Sequence, residues 1–186
     1  MRDSIRLLTS VLVKFDSLKE FEFTDITDDG EFSYSTDDDE LRELIQALAG
    51  HSGLKKLILH ASPVGRNGCV TLATFLLQNP NSKLTVLDFS DSDIDDEGVV
   101  VLATGLSETS TLEESNISSN PIITVTGMQA ICAALQSPSC RLEKLSLENN
   151  ELDDATAHSL SKTLTNNSTI RALDLSSNFN ITITGW

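Results

Sequence analysis

Basic residues are scarce in this chain. Only 13 Lys and Arg stand against 28 Asp and Glu, a formal net charge of −15. A surface of that sign repels phosphate backbones and anionic membranes. Nucleic acid and membrane are therefore not expected as partners, and a protein with a basic patch is. Aromatic residues make up only 5% of the chain, so the core has to be built from Leu, Ile, Val and Ala. Cysteine occurs at Cys69, Cys132 and Cys140, with no Cys-x-x-Cys, which points to neither a disulfide framework nor a zinc site. A reducing compartment, the cytoplasm, is expected. Cys69 and Cys132 lie in helical pattern and read as core, whereas Cys140 lies in a loop, where a thiol can react but a silent one is expected.

Other features are missing altogether. No run approaches the ~18 apolar residues of a membrane span, and Asp3 and Arg6 interrupt the start where a secretory signal needs an apolar stretch. His51, His60 and His158 are scattered, without metal-ligand spacing. No Gly-x-Ser-x-Gly turn and no Asp-x-Asp-x-Asp-Gly loop occurs. No catalytic residue, metal or cofactor is expected, and the chain reads as a non-enzyme. Asn116, Asn166, Asn167 and Asn180 open N-x-Ser/Thr triplets, which arise easily in an Asn- and Thr-rich chain.

What the sequence does have is repetition. In Leu142-Glu-Lys-Leu145-Ser-Leu147-Glu-Asn-Asn150-Glu-Leu152, Leu145 and Leu147 alternate with polar residues, as on one face of a short strand. The same pattern begins at Leu18, Leu54, Leu84, Leu112, Leu142 and Ile170. The steps between these starts are 36, 30, 28, 30 and 28 residues. The first is long because of the polar segment Thr24–Glu40. Each strand pattern is followed by a loop and then a helical stripe: Leu41, Leu44, Ile45 and Leu48, closed by Gly50; Leu72, Ala73 and Leu76, after a loop holding Pro63, Gly65 and Gly68; Val99, Leu102, Ala103 and Leu106; Met128, Ile131 and Leu135; Ala157, Leu160 and Leu164. A two-unit period of 58 is also present. Asp95-Asp96 recurs as Asp153-Asp154, and Ile123-Thr-Val-Thr-Gly127 recurs as Ile181-Thr-Ile-Thr-Gly185.

One short strand with a helix cannot bury its apolar face alone, so the units must stack. Stacking gives a parallel sheet on one side and helices on the other. A helix is wider than a strand, ~10 Å against ~4.8 Å per neighbour, so the stack bends with the sheet inside. The expected fold is an α/β solenoid forming one domain over 1–186, with about five to six units and incomplete units at both ends. At the start, Ile5, Leu8, Leu12 and Phe15 resemble the closing helix of an earlier unit; at the other end, 178–185 copies 120–127 and Trp186 stands where Met128 starts a helix. End-to-end self-association is a further expectation. Asn120, Asn150 and Asn178 share one position, where an amide can satisfy the backbone of the turn and of the neighbouring unit. Ser62 and Ser92 interrupt that ladder, and Ser115 replaces a strand leucine, which should weaken its unit. Thr36 with Asp39, and the pairs Asp95-Asp96 and Asp153-Asp154, read as helix N-caps.

The outward strand positions lie 2, 4 and 6 residues beyond each unit's first apolar residue. They supply the candidate partner-binding residues of the inner face: Glu20, Glu22, Lys56, Ile58, His60, Asp88, Glu114, Asn116, Lys144, Glu148 and Asp174. Six of the eighteen positions are acidic and two are Lys, so the face is expected to be net negative and to steer basic groups toward it.

The segment Pro138-Ser-Cys-Arg-Leu-Glu-Lys-Leu-Ser-Leu-Glu-Asn-Asn-Glu-Leu152 resembles the ribonuclease-inhibitor type of leucine-rich repeat. That class also occurs in Ran GTPase-activating proteins and in the sensor regions of nucleotide-binding immune receptors. Departures are Phe21 and Phe23 in place of leucines, Ser115, and the long first unit. The resemblance implies a horseshoe segment with its parallel sheet on the concave face and its helices on the convex face. It also implies a non-catalytic scaffold that binds another protein on the concave side. Two narrower alternatives are a GTPase-activating protein of the Ran type and the sensor fragment of an immune receptor. No motif fixes a rim residue for the first, and no Gly-x-x-x-x-Gly-Lys-Ser/Thr loop accompanies the second.

Overall fold

Among the described residues six short strands pair side by side, all parallel and all in chain order. They are β1 (Glu20–Thr24), β2 (Lys56–His60), β3 (Val86–Asp88), β4 (Glu114–Asn116), β5 (Lys144–Ser146) and β6 (Ala172–Asp174). The five crossovers run through α1 (Asp38–Ala49), α2 (Gly65–Leu72), α3 (Asp96–Glu108), α4 (Val125–Leu135) and α5 (Asp154–Leu164). The result is an open α/β leucine-rich-repeat solenoid, with the sheet lining the concave side and the helices the convex side. This computed structural model describes residues 8–12, 14, 17–24, 38–62, 64–77, 79–108 and 111–185. Ile5, Phe15, the Thr36 cap, Pro63, the side chain of Leu76 and Trp186 lie outside the described set.

The core is the seam between the two layers. Phe21, Leu57, Leu87, Ser115, Leu145 and Leu173 stand in register across the sheet. They meet Leu41, Leu44, Ile45 and Leu48 of α1, Leu102 and Leu106 of α3, Ile131 and Leu135 of α4, and Leu160 of α5. In α2 the stripe shifts. The helix widens into a π turn over Ala73–Leu77, and Leu77, which the expected stripe of Leu72, Ala73 and Leu76 omits, is a core residue. Leu77 packs where Gly105 of α3 comes close. A Cβ on Gly105 would stand 2.8 Å from Leu77 Cδ1, which explains a glycine inside a helix. One loop assignment is corrected here. Gly65 and Gly68 belong to α2 and not to the loop before it, because Gly68 packs against Val64 and Leu41. Cys140 does lie in a loop, but it is buried at 2% exposure and burial raises its thiol pKa, which agrees with a silent thiol.

The asparagine ladder closes the strand ends. Asn120 Nδ2 donates to the carbonyls of Phe89, Ile117 and Ser118, each at 3.0 Å. Its Oδ1 accepts from the Ser92 and Ile94 amides of the preceding coil. Asn178 does the same for Asn150 and Leu152. The serines keep half of the function. Ser92 Oγ donates to Leu59 and Ser90 carbonyls, and Ser62 Oγ donates to His60 O. Among the described residues the Ser92 hydroxyl donates to carbonyls and to no amide-bearing partner of the preceding coil, so the ladder is asymmetric rather than absent there.

The loops after the ladder come in two designs, which accounts for the 58-residue period. In the coils of β3 and β5, the ladder residue is followed by a left-handed acidic residue, Asp93 (φ 51°) or Glu151 (φ 54°), and then by buried Ile94 or Leu152. Asp95 Oδ1 accepts from the Gly98 amide, and Asp153 Oδ1 from the Thr156 amide, so the first Asp of each pair caps its own helix. In the coils of β4 and β6 the chain takes one residue more. Ile123 N donates to Asn120 O, and Ile181 N to Asn178 O. The buried residue is therefore Ile123, at 3% exposure, whereas Ile122, which equal spacing places in the core, is 52% exposed.

The second Asp of each pair acts on the next coil. Asp96 accepts from the Thr124 amide (2.7 Å), the Thr124 hydroxyl (2.5 Å) and the Gly127 amide (3.0 Å). Asp154 accepts from the Thr182 amide (2.6 Å) and from the hydroxyls of Thr182 (2.7 Å) and Thr184 (2.6 Å). The N-cap assignment therefore holds for Asp95 and Asp153 and is corrected for Asp96 and Asp154, which clasp neighbouring coils. Gly127 is small for the same reason, since a Cβ there would lie 2.7 Å from Asp96 Oδ1.

Candidate functional site

The outward strand residues form three rows that run across the sheet. Register places Glu20, Lys56, Val86, Glu114, Lys144 and Ala172 side by side in the first row. The second row is Glu22, Ile58, Asp88, Asn116, Ser146 and Asp174. The third contains Thr24 and His60 in register, with Ser90, Ser118, Glu148 and Ser176 at the corresponding positions. All eleven candidates, Glu20, Glu22, Lys56, Ile58, His60, Asp88, Glu114, Asn116, Lys144, Glu148 and Asp174, are at least partly solvent-accessible. Their neighbours Ser90 and Ser118 are buried, despite lying at outward positions. The strands bend the middle of the face into a groove of about 440 Å³, lined by residues that include Ile58, Val86, Asp88, Asn116, Lys144 and Asp174.

Serine fixes the middle of this face. Asp88 Oδ1 accepts from the Ser90 amide at 2.9 Å and its hydroxyl at 2.7 Å. Asn116 repeats the arrangement with Ser118, and Asp174 with Ser176. The bonds from Ser176 hold the Asp174 carboxyl below the usual carboxylate range. Asn116 Nδ2 then donates to Asp88 Oδ2 at 2.9 Å, joining two strands. On the other side His60 Nδ1 lies 2.8 Å from Ser90 Oγ. The Ser90 proton is directed at Asp88, so this contact uses His60 in the tautomer that carries the proton on Nδ1. The sequence signal for the network is the recurring Asp/Asn-x-Ser triplet, Asp88-Phe-Ser90, Asn116-Ile-Ser118 and Asp174-Leu-Ser176. Reading the strands as alternating inward and outward residues passes over it.

Lys144 Nζ sits 2.6 Å from Glu114 Oε1 across neighbouring strands. The bond to Glu114 and its charge raise the Lys144 pKa. Among the described residues no group of three or more His, Cys, Asp and Glu is placed to hold a metal ion. No helix of the described residues is long and apolar enough to cross a membrane.

A leucine-rich-repeat family model matches residues 81–103. Mouse ribonuclease inhibitor is 31% identical over 137 residues, covering 74% of this chain. The chain is a leucine-rich-repeat protein of the ribonuclease-inhibitor-like class. It spans 30% of the length of that inhibitor. It is also 30% identical over 140 residues to the human NACHT, LRR and PYD domains-containing protein 14, covering 75% of this chain and 13% of that protein. Solved structures share the fold of this leucine-rich-repeat protein. The tropomodulin C-terminal domain of Caenorhabditis elegans superposes with a TM-score of 0.63 at 16% identity, over 87% of this chain and 91% of that one. Leiomodin-1 actin-binding site 2 superposes with a TM-score of 0.53 at 18% identity, over 90% and 76%. Leucine-rich-repeat proteins are in general protein-interaction scaffolds, and this class is in general non-catalytic.

Proposed function

We propose that this protein is a non-catalytic scaffold that binds a partner protein through a basic patch, on the concave sheet face. The observation that carries this reading is the register. Six strands hold Glu20, Glu22, Asp88, Glu114, Glu148 and Asp174 on one accessible face, against only Lys56 and Lys144. A concave, low-dielectric wall focuses such a field and raises the encounter rate of an oppositely charged partner. Leiomodin-1, whose matching domain is an actin-binding site, supports protein binding by a solenoid of this shape. Aromatic and Arg anchors, which dominate tight interfaces, are missing from these outward positions, so affinity rests on charge and is salt-sensitive.

The test is affinity capture on the immobilised protein at low and high salt, with bound proteins identified by mass spectrometry. The wild type retains proteins with basic surfaces, and they elute as salt rises. The triple variant Asp88→Lys, Glu114→Lys, Asp174→Lys loses them. Capture of the same set by the triple variant would move the site to the rim or the helices.

A further inference from the structure

The negative charge of the concave face is not spread evenly over its three rows. In the first row Glu20 stands in register with Lys56, and Glu114 with Lys144. Two acids and two bases sum to zero there, and one of the two pairs is closed at 2.6 Å. The second row holds Glu22, Asp88 and Asp174 with no base, a sum of −3. The third adds only Glu148, which also accepts from Ser177 Oγ. The field of the face therefore comes mainly from the middle row.

The acceptors of that row are also partly committed. A carboxylate offers about four lone-pair positions. Among the described residues, Asp88 Oδ1 takes both Ser90 donors and Oδ2 takes only Asn116 Nδ2. At Asp174, Oδ1 takes both Ser176 donors, and Oδ2 takes none from the described residues. In both, the serine bonds fill one oxygen and leave capacity on the other. A bidentate Arg fork needs both oxygens, whereas a lysine ammonium donates to one. Ile58 lies in register beside Asp88, and Val86 precedes Asp88 on the same face, so an aliphatic stem finds apolar contact next to the carboxylate.

We propose that the occupant of the concave face is a lysine-bearing segment of the partner protein laid across the strands along the second row, from Glu22 through Asp88 to Asp174. This rests on the scaffold reading above and makes it specific. The row spans five strand-to-strand steps of about 4.8 Å, roughly 24 Å, which an extended segment covers in about seven residues. Asn116, the natural amide of this row, shows that Asn is accommodated in the same Ser-bonded geometry.

The test is fluorescence anisotropy with labelled octalysine at low salt on the full chain. Two variants each remove two negative charges: Asp88→Asn/Asp174→Asn from the second row, and Glu20→Gln/Glu114→Gln from the first. The second-row variant weakens binding at least tenfold, and the first-row variant less than twofold. Trilysine, too short to span the row, binds the wild type much more weakly per lysine. Equal losses in the two variants would overturn the row assignment and leave an acidic binding face intact. Wild-type binding of octalysine no tighter than of octaserine would overturn the acidic-face reading itself.

Discussion

The amide of Asn120 donates to the side-chain oxygen of Asn150 at 2.7 Å, joining one coil to the next at the closed end of the strands. Asn120 makes five further bonds through its own side chain, to two coils. Asn120→Ala leaves buried carbonyls and amides without partners and should cost about 3–5 kcal/mol. Asn120→Ser keeps a donor, as Ser92 does naturally, and should cost less than half of that. Urea unfolding midpoints at constant m-value decide the order of the two.

Gly127→Ala forces a methyl to within 2.7 Å of Asp96 Oδ1 and 3.0 Å of Ile123 Cγ2. The coil must shift or Asp96 must release the helix start, and overpacking of this kind costs about 1–3 kcal/mol. Ser139→Ala at an exposed position should be near neutral, and thermal melts of the two variants side by side test the difference.

Four carboxyls are held below their usual value of 3.8, each by hydrogen bonds to the ionised form. At Asp96 desolvation pushes upward and is outweighed by the bonds from Thr124 and Gly127. At Asp153 Thr156 dominates, at Asp154 Thr184 and Thr182, and at Asp174 Ser176. A depressed folded pKa means that the stabilisation is complete above the unfolded value and is lost as pH falls through the folded one. Denaturant midpoints should therefore drop as the pH falls below the usual carboxylate value. Thr124→Val/Thr182→Val should flatten that drop while changing the core little; a slope identical to wild type would contradict the clasp.

Ser115 faces an apolar void of about 20 Å³ between Leu87, Leu145, Leu135 and Cys140. Ser115→Val places a methyl there and removes a buried hydroxyl, for a gain of about 1 kcal/mol. The larger Ser115→Leu should gain less, because a full leucine overfills the space. For scale, Leu147→Ala in the fully buried neighbouring row should cost about 2–5 kcal/mol. Equilibrium unfolding of the three variants gives the ranking.

The strands were legible because alternation is strict there. Leu145 and Leu147 face in, Lys144 and Ser146 face out, and one register serves all six strands. Loops were less legible because their geometry is set by partners in the adjacent coil. Nothing local distinguishes Ile122 from Ile123; the turn closed by Asn120 O decides which is buried. Asp95 and Asp96 look alike in sequence, yet one caps its own helix and the other holds Thr124 in the next coil. On the concave face the residue positions followed from spacing, whereas the Asp88–Asn116 bond and the balanced first row needed the strands to be side by side.

The two alternating loop designs have a consequence for how such a chain can change length. The Asp96 clasp uses a Thr-x-Thr-Gly start in the coil that follows it, and the Asn120 carboxamide bonds the short loop of the coil before it. From β3 to β6 a coil of one design is thus matched to neighbours of the other, whereas the β2 coil, with buried Val64 two residues after Ser62, does not alternate with β3. Excising one coil brings two like loops together, whereas excising residues 112–169 as a block joins β3's loop to a sequence equivalent to the one it lost. Between β3 and β6 the repeating block is therefore a pair of coils, and insertions or deletions there that preserve the match come in multiples of two.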